Sequence, residues 1–208
     1  MASPANVDLA LVLAVDVSGS IDRGDYVLQM TGIAKALREP DIAEAIASGT
    51  AGAIALCLVQ WSTSSKQAVS VPWRMLASAA DLEAIAQAVE NALRDWRPGG
   101  TGLAAALVFA GALFDQLPVL ARRKVIDVSG DGQENDGGYV PAARAAVLAQ
   151  GITINGLPVV TSSLVIADYY AHQVIGGDGA FTEPAKTVFD FGDAMHRKLL
   201  REILSPVT

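Results

Sequence analysis

The sequence predicts a doubly wound α/β domain: a mostly parallel central sheet with one short antiparallel edge strand, and helices on both faces. Three features predict it. Apolar runs of strand length alternate with segments of helical period, the pattern of repeated β-α units whose crossovers cover a parallel sheet. The first run, Leu9 to Val15, is apolar at every position, as a strand covered on both faces requires. One link differs: Ser62-Thr63-Ser64-Ser65 is too short for a crossover, so the strands it joins run antiparallel.

Val7 to Asp16 is the first strand. Asp22, with Asp25 three residues on, is a variant capping box opening a helix from Arg23 to Arg38. Tyr26, Met30, Ile33, Ala34 and Leu37 recur along it at helical spacing. Pro40-Asp41 interrupts it, and Asp41 to Ala47 forms a short helix. Ala53 to Trp61 is the second strand, and Gln67 to Trp73, which contains Pro72, is the edge strand. Ser78 opens a helix carrying Leu82, Ile85, Val89 and Leu93. The breaker-rich loop Trp96-Arg97-Pro98-Gly99-Gly100 delivers Thr101, and Leu103 to Leu117 is a helix apolar on nearly every face. Arg122-Arg123-Lys124 reads as a solvated loop before a strand from Val125 to Ser129. Asp127 is an odd charge within that strand; a hydrogen-bonded structural role, or support for the ligand-binding loops without direct ligation, is expected for it. Pro141 to Gln150 is helical, Ile152 to Leu157 is a strand, and Leu164 to Val174 is a helix with Tyr169-Tyr170 as packing residues. Thr182 to Val188 is expected as a last edge strand. The final helix, Phe191 to Leu204, has Asp190 as its N-cap. Its Arg197, Lys198 and Arg201 read as solvated charges that complement the helix dipole.

The 208 residues suit a single domain, assigned to 7–205, with 1–6 as a leader or added remnant. Apolar residues make up 51% and charged residues 18%, which means a large buried core. A net charge of −7 argues against a nucleic-acid or anionic-membrane surface. No run approaches the roughly 18 apolar residues of a membrane span. The lone Cys57 lies in an apolar run and reads as a buried small hydrophobe; no intrachain disulfide can form, and a monomer is expected.

Where the first strand ends, the sequence turns abruptly polar: Asp16-Val17-Ser18-Gly19-Ser20. Open α/β sheets place their ligands at such strand ends. One carboxylate and two hydroxyls, all oxygen donors, suit a hard divalent cation: Mg²⁺, Mn²⁺ or Ca²⁺. Taken alone, the same residues also suit a helix N-cap. Two later stretches bear on the choice: Gly100-Thr101-Gly102 before a helix, and Ser129-Gly130-Asp131-Gly132 after a strand.

This ordered set, Asp-x-Ser-x-Ser, then Gly-Thr, then Asp-Gly, resembles the metal-ion-dependent adhesion site of von Willebrand factor A-type domains. The resemblance spans nearly the whole chain. The wording of Ile126-Asp127-Val128-Ser129-Gly130-Asp131-Gly132 and Ile154-Asn155-Gly156-Leu157-Pro158 is most similar to an uncharacterised bacterial subfamily. The resemblance implies Asp16, Ser18, Ser20, Thr101 and Asp131 as the metal residues, the hydroxyls binding directly and the carboxylates largely through water. It implies a non-enzymatic module that captures a Glu or Asp carboxylate of a partner protein at the ion's open position. Ser62, Ser64, Gly100 and Asn135 are candidates for contact with that partner. The resemblance also implies export, the signal lying outside this sequence; a cytoplasmic location is the alternative.

A second functional class is a haloacid-dehalogenase-type phosphatase, with Asp16 as nucleophile and Asp131 and Asp136 at Mg²⁺. Ser18 stands where such enzymes need a second Asp as general acid, and a hydroxyl cannot serve. A nucleotide-binding domain is a third class, but Ser18-Gly19-Ser20 has one Gly and no Lys.

Overall fold

The structure, a computed structural model, describes residues 6–94, 99–160 and 165–206. The loop at Trp96-Arg97-Pro98 and the predicted helix start at Leu164 lie outside the described residues. The strands are β1 (Asn6–Asp16), β2 (Ile54–Trp61), β3 (Gln67–Leu76), β4 (Leu120–Gly130) and β5 (Thr153–Pro158). They form one sheet in the order β3-β2-β1-β4-β5. β1 pairs in parallel with β2 and β4, β4 pairs in parallel with β5, and β3 is antiparallel to β2. This is the predicted α/β class, with its single antiparallel edge strand.

The helices are α1 (Arg23–Arg38), α2 (Pro40–Ala47), α3 (Ala79–Glu90), α4 (Leu103–Ala112), α5 (Val140–Leu148), α6 (Val165–Tyr169) and α7 (Phe191–Leu204). The capping box of α1 forms: the Asp22 carboxylate accepts from the Asp25 amide, and Asp25 accepts from the Asp22 amide. Successive side chains of β1 enter opposite cores. Leu9, Leu11, Leu13 and Val15 pack with Met30, Ile33 and Leu37 of α1, Ile85 of α3 and Met195 of α7. Ala10, Val12 and Ala14 pack on the other face with Ala106, Leu107 and Ala110 of α4. Because β1, β2 and β4 are parallel, their carboxyl ends share one edge, where Asp16, Trp61 and Gly130 lie. Among the described residues, no helix is long and apolar enough to cross a membrane.

Six expectations are corrected. Arg122-Arg123-Lys124 is not a loop: β4 begins at Leu120, and these residues pair with the start of β1. Their charges stay in the strand because it extends beyond the core; Arg123 Nη2 donates to the carbonyl of Glu202 at the end of α7, 2.6 Å away. Thr182 to Val188 is no strand. It touches β5 through single bridges at Thr182 and Ala185, since Pro184 has no N–H to continue a ladder. Lys198 is not solvated but fully buried, 3.0 Å from Asp127 Oδ1 and 2.5 Å from Glu202 Oε1. Asp190 precedes α7 without capping it by its side chain, which accepts instead from Thr187 Oγ1. The helix predicted to run to Val174 is α-helical only to Tyr169 and widens into a π turn over Tyr170–Val174. Leu103 to Leu117 likewise divides, with a 3₁₀ turn at Leu113–Gln116 after α4.

Candidate metal centre

Three loops build the site at the carboxyl edge of the sheet. The first follows β1. Asp16 is completely buried, and its Oδ1 accepts from the Ser18 amide at 2.7 Å, turning the chain back over the strand end. That turn sets the Ser18 and Ser20 hydroxyls 3.3 Å apart. Ser18 is buried and Ser20 exposed, so the pair runs from the interior to the surface. The second loop precedes α4. Thr101 is nearly buried, and its hydroxyl lies 3.5 Å from Ser18 Oγ. The third follows β4, where Asp131 Oδ1 accepts from the Ser20 hydroxyl at 2.5 Å. The structure therefore joins Thr101, Ser18, Ser20 and Asp131 in one chain of oxygens, with Asp16 beneath it.

The loops brace each other through their backbones. Gly19 N donates to Gly99 O at 2.8 Å, and Gly102 N donates to Ser62 O at 2.6 Å. Gly102 is required there, because a Cβ would stand 2.4 Å from Ser64 N. Asn135 locks to Thr101 three times: its side-chain oxygen accepts from the Thr101 amide at 2.8 Å, its backbone amide donates to the Thr101 carbonyl at 3.0 Å, and its Nδ2 donates to the Thr101 hydroxyl at 3.4 Å. Ser62 is buried and its hydroxyl donates to Gly100 O, so it supports the loops from below. Ser64 and Asn135 are exposed, and Gly100 is half-buried.

The acidic loop spends most of its charge on structure. Glu134 accepts from Ala104 N at 2.8 Å, placing an anion at the start of α4, and also from the amides of Asp136 and Gly138. Asp136 accepts from Ser64 N, and hydrogen bonds from Ser64 hold its carboxyl below the usual range. Asp136 thus braces Ser64, and of the loop's acidic residues it is Asp131 that meets the Ser20 hydroxyl.

Burial pushes the Asp16 carboxyl up to about 7, against the lowering pull of the Ser18 hydrogen bonds. Its second oxygen, Oδ2, is buried with no hydrogen-bond partner. The nearest cationic help comes from Arg94, whose Nη2 donates to the carbonyls of Val17 and Ser18 at 2.7 and 2.9 Å rather than to the carboxylate. A buried, undersupplied carboxylate ringed by three hydroxyls and a second carboxylate fits a hard cation. Among the described residues, no group of three or more His, Cys, Asp or Glu is placed to hold a metal, so the hydroxyl set is the candidate.

Two supporting residues escaped the sequence reading. Arg94 has no motif around it. Tyr170, completely buried in the π turn, faces the site from below. Its Oη also has no hydrogen-bond partner, and burial followed by the charge of Asp16 keeps the phenol protonated. Its neighbour Tyr169 accepts from Glu134 N at 3.3 Å, tying the same turn to the acidic loop.

The sheet order and its surrounding helices are those of the von Willebrand factor A-like α/β fold, which several solved structures share. One is proximal thread matrix protein 1 of the mussel byssus with a zinc-occupied MIDAS motif (TM-score 0.65, 16% identity, 97% of this chain and 47% of that chain). Another is the von Willebrand factor type A protein from Catenulispora acidiphila (TM-score 0.64, 16% identity, 95% of this chain and 43% of that chain). A third is the pilus adhesin SpaC from Lactobacillus rhamnosus GG (TM-score 0.67, 14% identity, 95% of this chain and 31% of that chain). The chain spans less than half the length of each, and at these identities the likeness is one of fold. Residues 6–207 match the family model described as "Protein of unknown function (DUF1194)", and the chain belongs to that family. No curated protein matches it in sequence.

Proposed function

We propose that the chain is a divalent-metal-dependent protein-binding module of the adhesion type, not an enzyme. Asp16, Ser18, Ser20, Thr101 and Asp131 hold the ion, Mg²⁺ by preference, with Mn²⁺ and Ca²⁺ as the other candidates. The bound ion supplies an electrophilic centre with an open position for a Glu or Asp carboxylate of a partner protein. The observation that carries this reading is the convergence of three loops on one run of oxygens, above a buried carboxylate whose Oδ2 has no hydrogen-bond partner. Only two of the five donors are anionic, so the ion keeps positive charge to offer a partner. Ser64, Gly100 and Asn135 lie on the surrounding loops, where partner selectivity is expected to reside.

The test is calorimetric titration of EDTA-stripped protein with Mg²⁺, Mn²⁺, Ca²⁺ and Zn²⁺, beside Asp131→Ala. The expected result is saturable binding by the parent and loss of binding by a variant that remains folded by circular dichroism. Equal affinity in parent and variant removes Asp131 from the centre and with it this reading.

A further inference from the structure

The molecule devotes a fully buried tyrosine to the underside of the site, and its surroundings say what the hydroxyl is for. Tyr170 lies on the sheet face shared with α4 and α5, the face toward which Asp16 also turns. Its ring occupies a trough that two glycines leave in that face. A Cβ on Gly156 of β5 would stand 2.7 Å from Tyr170 Cδ1. A Cβ on Gly130 of β4 would stand 2.7 Å from the Tyr170 hydroxyl and 2.8 Å from Asp16 Oδ2. The ring thus reaches from β5 across β4, and its hydroxyl and the inner oxygen of Asp16 flank the same space over Gly130 without bonding each other.

Both atoms are buried and both lack a partner, although one is a donor and the other an acceptor. Burying a hydroxyl with no bond is unfavourable, and a phenylalanine would fill the same trough without that cost. The other Asp16 oxygen is already taken by the Ser18 amide. The π turn matters too: such turns insert a residue into a helix and re-aim its side chains, frequently at functional sites.

We propose that Tyr170 is a positioning residue of the metal centre. With the ion bound, its hydroxyl closes onto Asp16 Oδ2 and donates to it, which fixes the carboxylate in the orientation that the ion requires; without the ion the two atoms stay unpaired. The inference rests on the metal-binding reading above. Partners in this position orient ligands and raise their effectiveness, and their loss weakens metal affinity by about 10–100-fold.

The experiment compares parent and Tyr170→Phe in two measurements: thermal unfolding in EDTA, and calorimetric titration with Mn²⁺ and Mg²⁺. The expected outcome has opposite signs. Unfolding in EDTA is unchanged or shifted upward, because an unsatisfied hydroxyl has been removed, while ion affinity falls by about 10–100-fold. Gly130→Ala, whose added methyl presses on both oxygens, is expected to lose affinity as well. A Tyr170→Phe variant that binds both ions as tightly as the parent overturns the positioning role and leaves the metal reading standing. A parent that takes up neither ion overturns both.

Discussion

Asp16 at the end of β1 and Asp127 within β4 lie on adjacent strands, both sealed from solvent, and burial pushes both carboxyls up to about 7. Their surroundings differ. Asp127 faces α7, where the Lys198 ammonium lies 3.0 Å away and is shared with Glu202. Glu202 in turn accepts from Asn155 at 2.8 Å, and Asn155 accepts from Phe181 N. That cluster carries its own cation, although both Asp127 oxygens and Glu202 Oε2 lack a hydrogen-bond partner. Asp16 faces the opposite side of the sheet, has hydroxyls for company, and ends at one open loop edge. An interior charge is tolerated when paired and costly when alone. The same residue type is therefore structural where the chain supplies the cation, and a candidate ion-binding group where it does not.

The largest expected effect comes from removing the internal cation. Lys198→Met leaves Asp127 and Glu202 buried together without compensation and is expected to destabilise the fold by about 3–5 kcal/mol in urea titration near neutral pH. The effect has a pH signature. Asp127 binds its proton more tightly folded than unfolded, so its contribution to stability is fully present below about 4 and is lost as pH rises through about 7. The variant is therefore expected to recover stability as pH falls from 8 to 5. A loss that is equal at both pH values would show that Lys198 contributes packing rather than charge.

Asp16→Asn is the counterpart. It removes a buried charge whose Oδ2 has no hydrogen-bond partner and whose nearby guanidinium, Arg94, bonds backbone carbonyls instead, so in EDTA at pH 8 the variant is expected to gain roughly 1–3 kcal/mol, the scale of a buried unmet polar group, while losing ion affinity. A clear loss of stability in EDTA would break the comparison, because it would mean that Ser18 and Arg94 already satisfy the carboxylate. The same variant separates the functional classes: hydrolysis of a simple phosphate ester by the parent, abolished in Asp16→Asn, would favour the phosphatase reading.

The asymmetry between the two aspartates also marks how far the sequence could be read. The fold was legible because strand and helix periods are local, and because Leu9 to Val15 is apolar throughout. Asp16, Ser18, Ser20, Thr101 and Asp131 were legible as a group because strand ends and short loops carry recognisable spacings. Lys198 was not. Its position four residues before Glu202 on a helix reads as an exposed pair, and only the packing of α7 on β4 takes it out of water. Thr182 to Val188 misled for a related reason: its composition suits a strand, but Pro184 interrupts the ladder. Arg94 and Tyr170 reach the site from segments with no motif, through contacts 76 residues apart for Arg94 and Ser18. Pairings of that range follow from the assembled sheet and not from any window of sequence.

The smallest effect separates two neighbouring side chains. Tyr169 and Tyr170 stand edge to face with ring centres 6.3 Å apart, yet they serve different parts of the site. Tyr169 is partly exposed and its oxygen accepts one backbone hydrogen bond, from Glu134. Tyr169→Phe removes that acceptor and nothing else. It is expected to cost about 0.5–1.5 kcal/mol of stability and to leave Mn²⁺ affinity within about threefold of the parent, because Glu134 remains held by its own carboxylate bonds to Ala104, Asp136 and Gly138. Calorimetry on the two phenylalanine variants side by side sharpens the assignment. If Tyr169→Phe weakens ion binding as much as Tyr170→Phe, the whole turn supports the acidic loop and the hydroxyl over Gly130 has no special standing. If Tyr170→Phe alone weakens it, the dependence lies in that hydroxyl, since both variants keep their rings and the fold around them.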